Sequence, residues 1–154
     1  MLFAPYHAIV RTVLRRAMAD LSAGKTETAA RQFRDDATLC FSGHHALGGE
    51  LHGRDEIGAW FARLRRLFPN LKLTPLQIVV NGGPWATTVA TRFRVNATLP
   101  GGDAYENEGM QFLRLRWAAI AEDRLYEDTE RLCAALRSIA DAGNAEALAA
   151  PLRG

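Results

Sequence analysis

Residues 36–57 read DATLCFSGHHALGGELHGRDEI, and this stretch decides the fold. It begins with a short strand at residues 37–41, crosses a Gly/His-rich loop and ends at the start of an amphipathic helix. The residues just before it, 24–36, fit a short helix over 26–33 followed by Asp35-Asp36 as punctuation. A helix, a strand, a loop and a second helix in this order form the entry to an α+β domain whose helices fold over a sheet.

The flanking sequence agrees with that reading. Upstream, Tyr6, Ile9, Val10, Val13, Leu14, Ala17, Met18 and Leu21 recur at helical spacing. Pro5 suits the first turn of that helix and Gly24 its end. Downstream, the spacing predicts a helix over 54–68 that buries Ile57, Trp60, Phe61, Leu64, Leu67 and Phe68. Asp55 and Glu56 in its first turn suit the helix dipole, and Pro69-Asn70 ends it. Beyond Pro69 the period changes to two. Strands are expected over 71–80, 85–99, 104–117 and 120–128, separated by the turns Asn81-Gly82-Gly83-Pro84 and Pro100-Gly101-Gly102-Asp103. A last helix is expected over 129–142, with Asp128 as its N-cap. The Ala-rich tail from residue 143 is expected to fray or to cross a partner.

The chain has 154 residues, so one domain over 1–154 is the expectation. With 48% apolar and 23% charged residues, its composition is that of a globular protein with a real core. A net charge of +2 is too small for a nucleic-acid partner. Lys25 and Lys72 are the only lysines, and with the abundant arginine and alanine this suggests a bacterial source. Cys40 and Cys133 lie far apart without CxxC spacing, as expected of free thiols in a reducing cytoplasm. Arginines 11, 15 and 16 interrupt the first apolar pattern, so neither a signal segment nor a membrane span is expected.

The sequence resembles the SnoaL-like/NTF2-like superfamily, and locally the ketosteroid isomerases within it. Those enzymes carry a GD…YADDATVEDP pattern followed by HGR-[ED]-x-I opening a helix. Here Gly24, Phe33, Asp35-Asp36-Ala37-Thr38 and His52-Gly53-Arg54-Asp55-Glu56-Ile57 match it. The resemblance implies a cone-shaped α+β fold, with helices packed on a strongly curved, mainly antiparallel sheet. It implies no cofactor and no metal, and a homodimer through one sheet face. Counting along the match, Phe41 takes the position of the isomerase base and Ala17 that of its oxyanion-hole tyrosine. Neither exchanges a proton, so steroid isomerisation is not expected. In the similar polyketide cyclases an Asp of the last strand works as acid/base. Leu125 takes that position here, with Asp123 two residues away.

Candidate chemistry centres on a few side chains. Asp123 is the preferred acid/base group among the strand carboxylates, because a carboxyl that is buried has a raised pKa and can serve as acid or base. His44 is the second candidate, in a loop whose histidines otherwise read as solvated. Glu108, Glu122, Glu127 and Asp128 are further carboxylates near the sheet. A strand register pairing Leu99 with Ala104 sets Arg92 opposite Gln111 and Asn96 opposite Asn107, which would gather ligand-orienting Arg92, Gln111 and Asn107. Phe41, Trp60, Phe93 and Met110 would line a hydrophobic pocket, while Arg63, Arg65 and Arg66 read as an exposed helix face. Two functions follow. One is cofactor-independent acid/base chemistry of isomerase, cyclase or hydrolase type on a small hydrophobic carbonyl or polyketide-like compound. The other is a non-catalytic ligand-binding or dimerisation module.

Overall fold

The computed structural model describes residues 2–153. In chain order the elements are α1 (Ala4–Ser22), α2 (Thr26–Arg31), β1 (Phe33–Phe41), β2 (Gly49–His52), α3 (Gly53–Leu67), β3 (Lys72–Gly83), β4 (Ala86–Thr98), β5 (Ala104–Arg116), β6 (Ala119–Glu127) and α4 (Thr129–Asp141), then a 3-10 turn at Ala145–Leu148. The fold is α+β, with one curved six-stranded sheet in the order β2-β1-β6-β5-β4-β3. β1 runs parallel to β6, and the other neighbouring strands are antiparallel. Register shifts in the pairings of β1 with β6, β3 with β4 and β5 with β6 bend the strands, because extra residues on one strand tighten the local twist. Pro75 is tolerated at one of these shifts because β3 is an edge strand.

The opening motif has a physical role. Gly53 holds φ +82° at the start of α3, in the left-handed region that favours glycine. The Arg54 guanidinium then donates to the Phe33 carbonyl at 2.8 Å and pairs with Asp35 at 2.9 Å, tying α3 to β1. Glu56 reaches back to accept the His52 N–H at 2.7 Å. With its N-terminus fixed this way, α3 turns Ile57, Trp60, Phe61 and Leu67 into the core. Val10, Leu14 and Met18 make the corresponding stripe on α1, and Leu132, Ala135, Leu136 and Ile139 that on α4. Asp128 caps α4 by accepting the Arg131 N–H.

Several expectations are corrected. β1 starts four residues early, at Phe33, because that ring is buried and its backbone pairs with Ile120; the preceding helix therefore stops at Arg31. The short strand β2 was not expected from the sequence. The register across residues 99–103 is displaced by one: Thr98 faces Ala104, so Arg92 faces Met110, Thr91 faces Gln111 and Asn96 faces Glu106. Leu99 accepts from Gly102 N–H and donates to the Asp103 carbonyl, which makes it part of the loop and not of the strand. Since strand side chains alternate, this slip reverses the face of every residue on one strand relative to the other.

The tail neither frays nor leaves the body of the protein. Ala147 is buried, and Arg66 holds Glu146 through two hydrogen bonds of 2.8 Å. Arg63 is buried instead of exposed: its Nη1 donates to the carbonyls of Ala46 and Ala150, both at 2.9 Å, and its Nε lies 3.4 Å from Glu146. One guanidinium thus joins the His loop, α3 and the C-terminal segment. Replacing it strands two carbonyls and leaves Glu146 to Arg66 alone, so Arg63→Ala should lower the unfolding free energy by about 2–4 kcal/mol. Urea denaturation measures this, and limited proteolysis of the variant should release the segment beyond residue 143.

Candidate active site

The concave face of the sheet and the helices across it enclose a cavity of about 100 Å³. α1 contributes Leu14, Ala17, Met18 and Leu21, and α3 contributes Trp60, Phe61 and Leu64. The sheet supplies the floor. Across it run rows set by strand pairing: Val89, Leu113, Asp123 and Leu39, then Thr91, Gln111, Leu125 and Phe41, then Phe93, Gly109 and Glu127. Most of the lining is apolar or aromatic; Gln32, Tyr105, Gln111, Asp123 and Glu127 are its polar members.

Asp123 is 3% exposed. Gln111 Nε2 donates to its Oδ2 at 3.0 Å, and its Oδ1 has no hydrogen-bond partner. Burial pushes the carboxyl up to about 7, although the Gln111 hydrogen bond favours the charged form. Thr91, on the strand beside Gln111, also keeps a buried hydroxyl without a partner. Two buried polar atoms beside one amide thus lack partners, which is unusual in a core.

Glu127 stands in the third of these rows, four residues from Asp123 along the same strand face. Burial pushes it up to about 7 as well. Gly109 faces it across β5 and β6, and a Cβ there would come within 2.5 Å of the Phe93 ring and 2.9 Å of Glu127 Cγ. The glycine leaves room for both side chains. Near this end, the Tyr105 hydroxyl accepts from Asn107 Nδ2 at 2.8 Å, and Asn107 also donates to the Asp128 carbonyl. Burial, then the nearby Glu127 charge, keep the phenol protonated well above its ordinary range.

The structure separates the sequence candidates. Asp123, Gln111, Phe41, Trp60 and Phe93 line the cavity, and Asn107 is buried beside Tyr105. Trp60 is fixed by donating its indole N–H to the Leu47 carbonyl at 2.8 Å. Arg92 and Met110 lie on the outer, exposed sheet face, where Arg92 pairs with Glu108 at 3.2 Å; the one-residue register slip puts them there. His44 is exposed on a separate groove beside α4 and the C-terminal segment, away from Asp123. Its neighbour His45 is buried, not solvated. Its Nδ1 accepts the Leu47 N–H and its Nε2 donates to Ser42 O, so the ring is neutral and burial lowers its pKa. Among the described residues, no three His, Cys, Asp or Glu side chains converge as metal ligands would. Tyr105 was not anticipated, and Glu127 was not singled out among the strand carboxylates. Its inward parity, shared with Asp123, was the available signal.

Comparison with known proteins places this architecture. A sequence profile of the SnoaL-like domain matches residues 14–123, and the chain belongs to that family within the SnoaL/NTF2-like superfamily. No curated protein matches the sequence. PrhC from Penicillium brasilianum superposes with a TM-score of 0.72 at 17% identity, over 86% of this chain and 89% of that one. A protein of ketosteroid isomerase-like fold from Catenulispora acidiphila, in complex with trimethylamine, gives 0.62 at 22% identity, over 74% and 82%. SalBIII, an epoxide hydrolase/cyclase-like enzyme of pyran ring formation in salinomycin, gives 0.67 at 12% identity, over 81% and 95%. Among the described residues no helix is long and apolar enough to cross a membrane.

Phe41, Ala17 and Leu125, which the resemblance sets at the isomerase and cyclase catalytic positions, all line the cavity. They point inward and carry no polar group. Asp123, Gln111 and Glu127 stand on the β5–β6 wall instead.

The buried carboxyl carries a measurable stability cost. The folded Asp123 pKa lies above the model-peptide value of 3.8, at about 7. Its contribution is therefore most favourable below pH 4 and is lost as pH rises to 7, a difference of about 4 kcal/mol at 1.36 kcal/mol per pH unit. Asp123→Asn should match the wild type near pH 4 and exceed its stability at pH 8 by up to that amount. Denaturation curves of both proteins across this range test the prediction.

Proposed function

We propose that the protein is an acid/base enzyme that moves a proton on a compact, largely apolar carbonyl compound. The observation that carries this reading is the buried Asp123 carboxyl at the wall of an apolar cavity, held by Gln111 at 3.0 Å and with its other oxygen unbonded. A base suited to neutral pH needs a pKa near 7, and burial supplies it. In the proposed reaction Asp123 Oδ1 takes a proton from carbon α to the carbonyl. Asp123 then returns the proton to the same or a neighbouring carbon. Gln111 orients the carboxylate, while Phe41, Trp60 and Phe93 exclude water.

Size restricts the substrate. A cavity of about 100 Å³ lies below the roughly 300–1,000 Å³ of drug-sized sites, so a steroid or polycyclic polyketide would enter only by displacing α1. The trimethylamine carried by the Catenulispora protein is a ligand of the size admitted here.

The test is exchange of α-protons of acetone and butan-2-one in D2O, followed by NMR. Wild type should accelerate exchange, with a rate that rises through neutral pH as Asp123 loses its proton. Asp123→Asn should reduce the rate by about 10²–10⁴-fold, the range for losing a general base. Exchange that is unchanged in Asp123→Asn would remove the assignment.

The outer sheet face supports a homodimer. Val79, Met110, Phe112 and Tyr126 form an exposed apolar belt across β3, β5 and β6. Arg92–Glu108 and Arg114–Glu122–Arg124 ion pairs border it with both signs of charge, as a self-complementary interface requires. Phe112→Glu should convert the dimer to a monomer in light-scattering measurements.

A further inference from the structure

Proton transfer alone does not account for the sign of the cavity's charge. Two carboxyl groups, Asp123 and Glu127, line it, and among the described residues no lysine, arginine or histidine does. An enclosed carboxylate is costly unless a cation meets it, and the protein supplies none. Asp123 Oδ1 in particular is 3% exposed as part of its residue and bonded to nothing. Around the two acids stand the rings of Phe41, Trp60, Phe61, Phe68, Phe93 and Tyr105. Trp60 lies edge-to-face against both Phe41 and Phe61, with ring centres 6.1 and 5.1 Å apart. Aromatic faces carry negative potential and attract cations, most strongly when both are out of water.

We infer that this cavity is a binding site for a compact alkylammonium ion, with its charge set against Asp123 and Glu127 and its methyl groups against the aromatic wall. Volume narrows the class further. An apolar cavity of about 150 Å³ takes benzene, so about 100 Å³ takes some four or five heavy atoms. That describes a tri- or tetramethylammonium ion better than a guanidinium, which would need two parallel hydrogen bonds to one carboxylate. Gln111 already occupies one oxygen of Asp123, leaving a single site there. The inference shares the cavity with the acid/base reading but not its chemistry, since a cation can bind whether or not a proton is transferred.

Tetramethylammonium chloride is a suitable probe because its charge is independent of pH. tert-Butanol has nearly the same shape and no charge. Isothermal titration of the wild-type protein should give tighter binding of tetramethylammonium than of tert-butanol. The titratable groups on the cavity wall are Tyr105 on β5 and Asp123 and Glu127 on β6; the α1, α2, α3 and α4 residues that face it are apolar, and Asp128 and Arg131 lie beyond Tyr105. Ammonium affinity should therefore rise with pH toward 7, by up to tenfold per unit, as the carboxyls ionise, with protons released on binding. The affinity for tert-butanol should stay flat.

Asp123→Asn and Glu127→Gln keep side-chain shape and should each weaken ammonium binding at least tenfold while leaving tert-butanol unchanged. Equal or tighter binding of tert-butanol by the wild type, or a double variant that keeps full ammonium affinity, would overturn the inference. So would an affinity that does not change with pH. Ketone exchange without ammonium binding would leave the proton-transfer reading standing and remove this one. Ammonium binding without exchange would do the reverse.

Discussion

The antiparallel pairing of β5 with β6 sends Leu113 and Asp123, then Gln111 and Leu125, then Gly109 and Glu127 to the same side of the sheet. Both carboxyls of the cavity and the Gln111 amide depend on that ladder. A slip of one residue would turn both carboxyls outward to water and bring Arg124 and Tyr126 in. The ladder is held from both sides: β4 pairs along β5 from Thr87 to Thr98, and β1 runs parallel to β6 with Leu39 beside Asp123 and Phe41 beside Leu125. Both flanking strands present apolar side chains there, so a shifted register would leave Leu39 and Val89, now fully buried, without partners.

The same pairing produces the tension in the site. An apolar floor would favour folding more than one that contains an aspartate with an unbonded oxygen. Retaining such a group makes physical sense when its environment gives it a property that water does not, here a carboxyl that changes charge near neutral pH. Gln111 limits the cost and fixes the direction of the free oxygen. Gly109 does the corresponding work at the other end, by leaving space where any side chain would press Phe93 against Glu127. The helical cover then sets the dielectric, because Leu14, Met18, Trp60 and Phe61 admit no polar competitor.

The fold was legible because its signals are periodic and local. The change from helical spacing to alternation at Pro69 marks the start of the hairpins, and Asp128 fits the N-cap it turns out to be. What escaped depends on contacts distant in sequence. Arg63 looks like a solvated residue until the carbonyls of Ala46 and Ala150 surround it. Phe33 reads as the end of a helix until Ile120, 87 positions later, pairs with it as a strand. The loop at residues 99–103 hid the register, since a proline and two glycines fit several loop lengths and only one leaves Thr98 opposite Ala104. That single residue separates Arg92 and Met110 from the cavity. Asp123, Gln111 and Phe93 were reached despite it, through their own strands' apolar alternation, whereas Tyr105 offered no pattern apart from a core aromatic.

Strand geometry also explains how this chain departs from the relatives it resembles without changing its fold. A step of two residues along a strand keeps the side chain on the same face and moves it by about 6.6 Å. Leu125, at the cyclase-like position, has Asp123 and Glu127 two residues to either side, and all three line the cavity. Placing the acids in this way preserves their burial, and with it the raised pKa, while displacing each from Leu125 by roughly the width of a small ring. Phe41 and Ala17, at the positions the isomerase resemblance marks, line the cavity with carbon. The cone determines which positions face inward. The distribution of charge among those positions determines what the cavity can bind, and in this chain that distribution is wholly acidic.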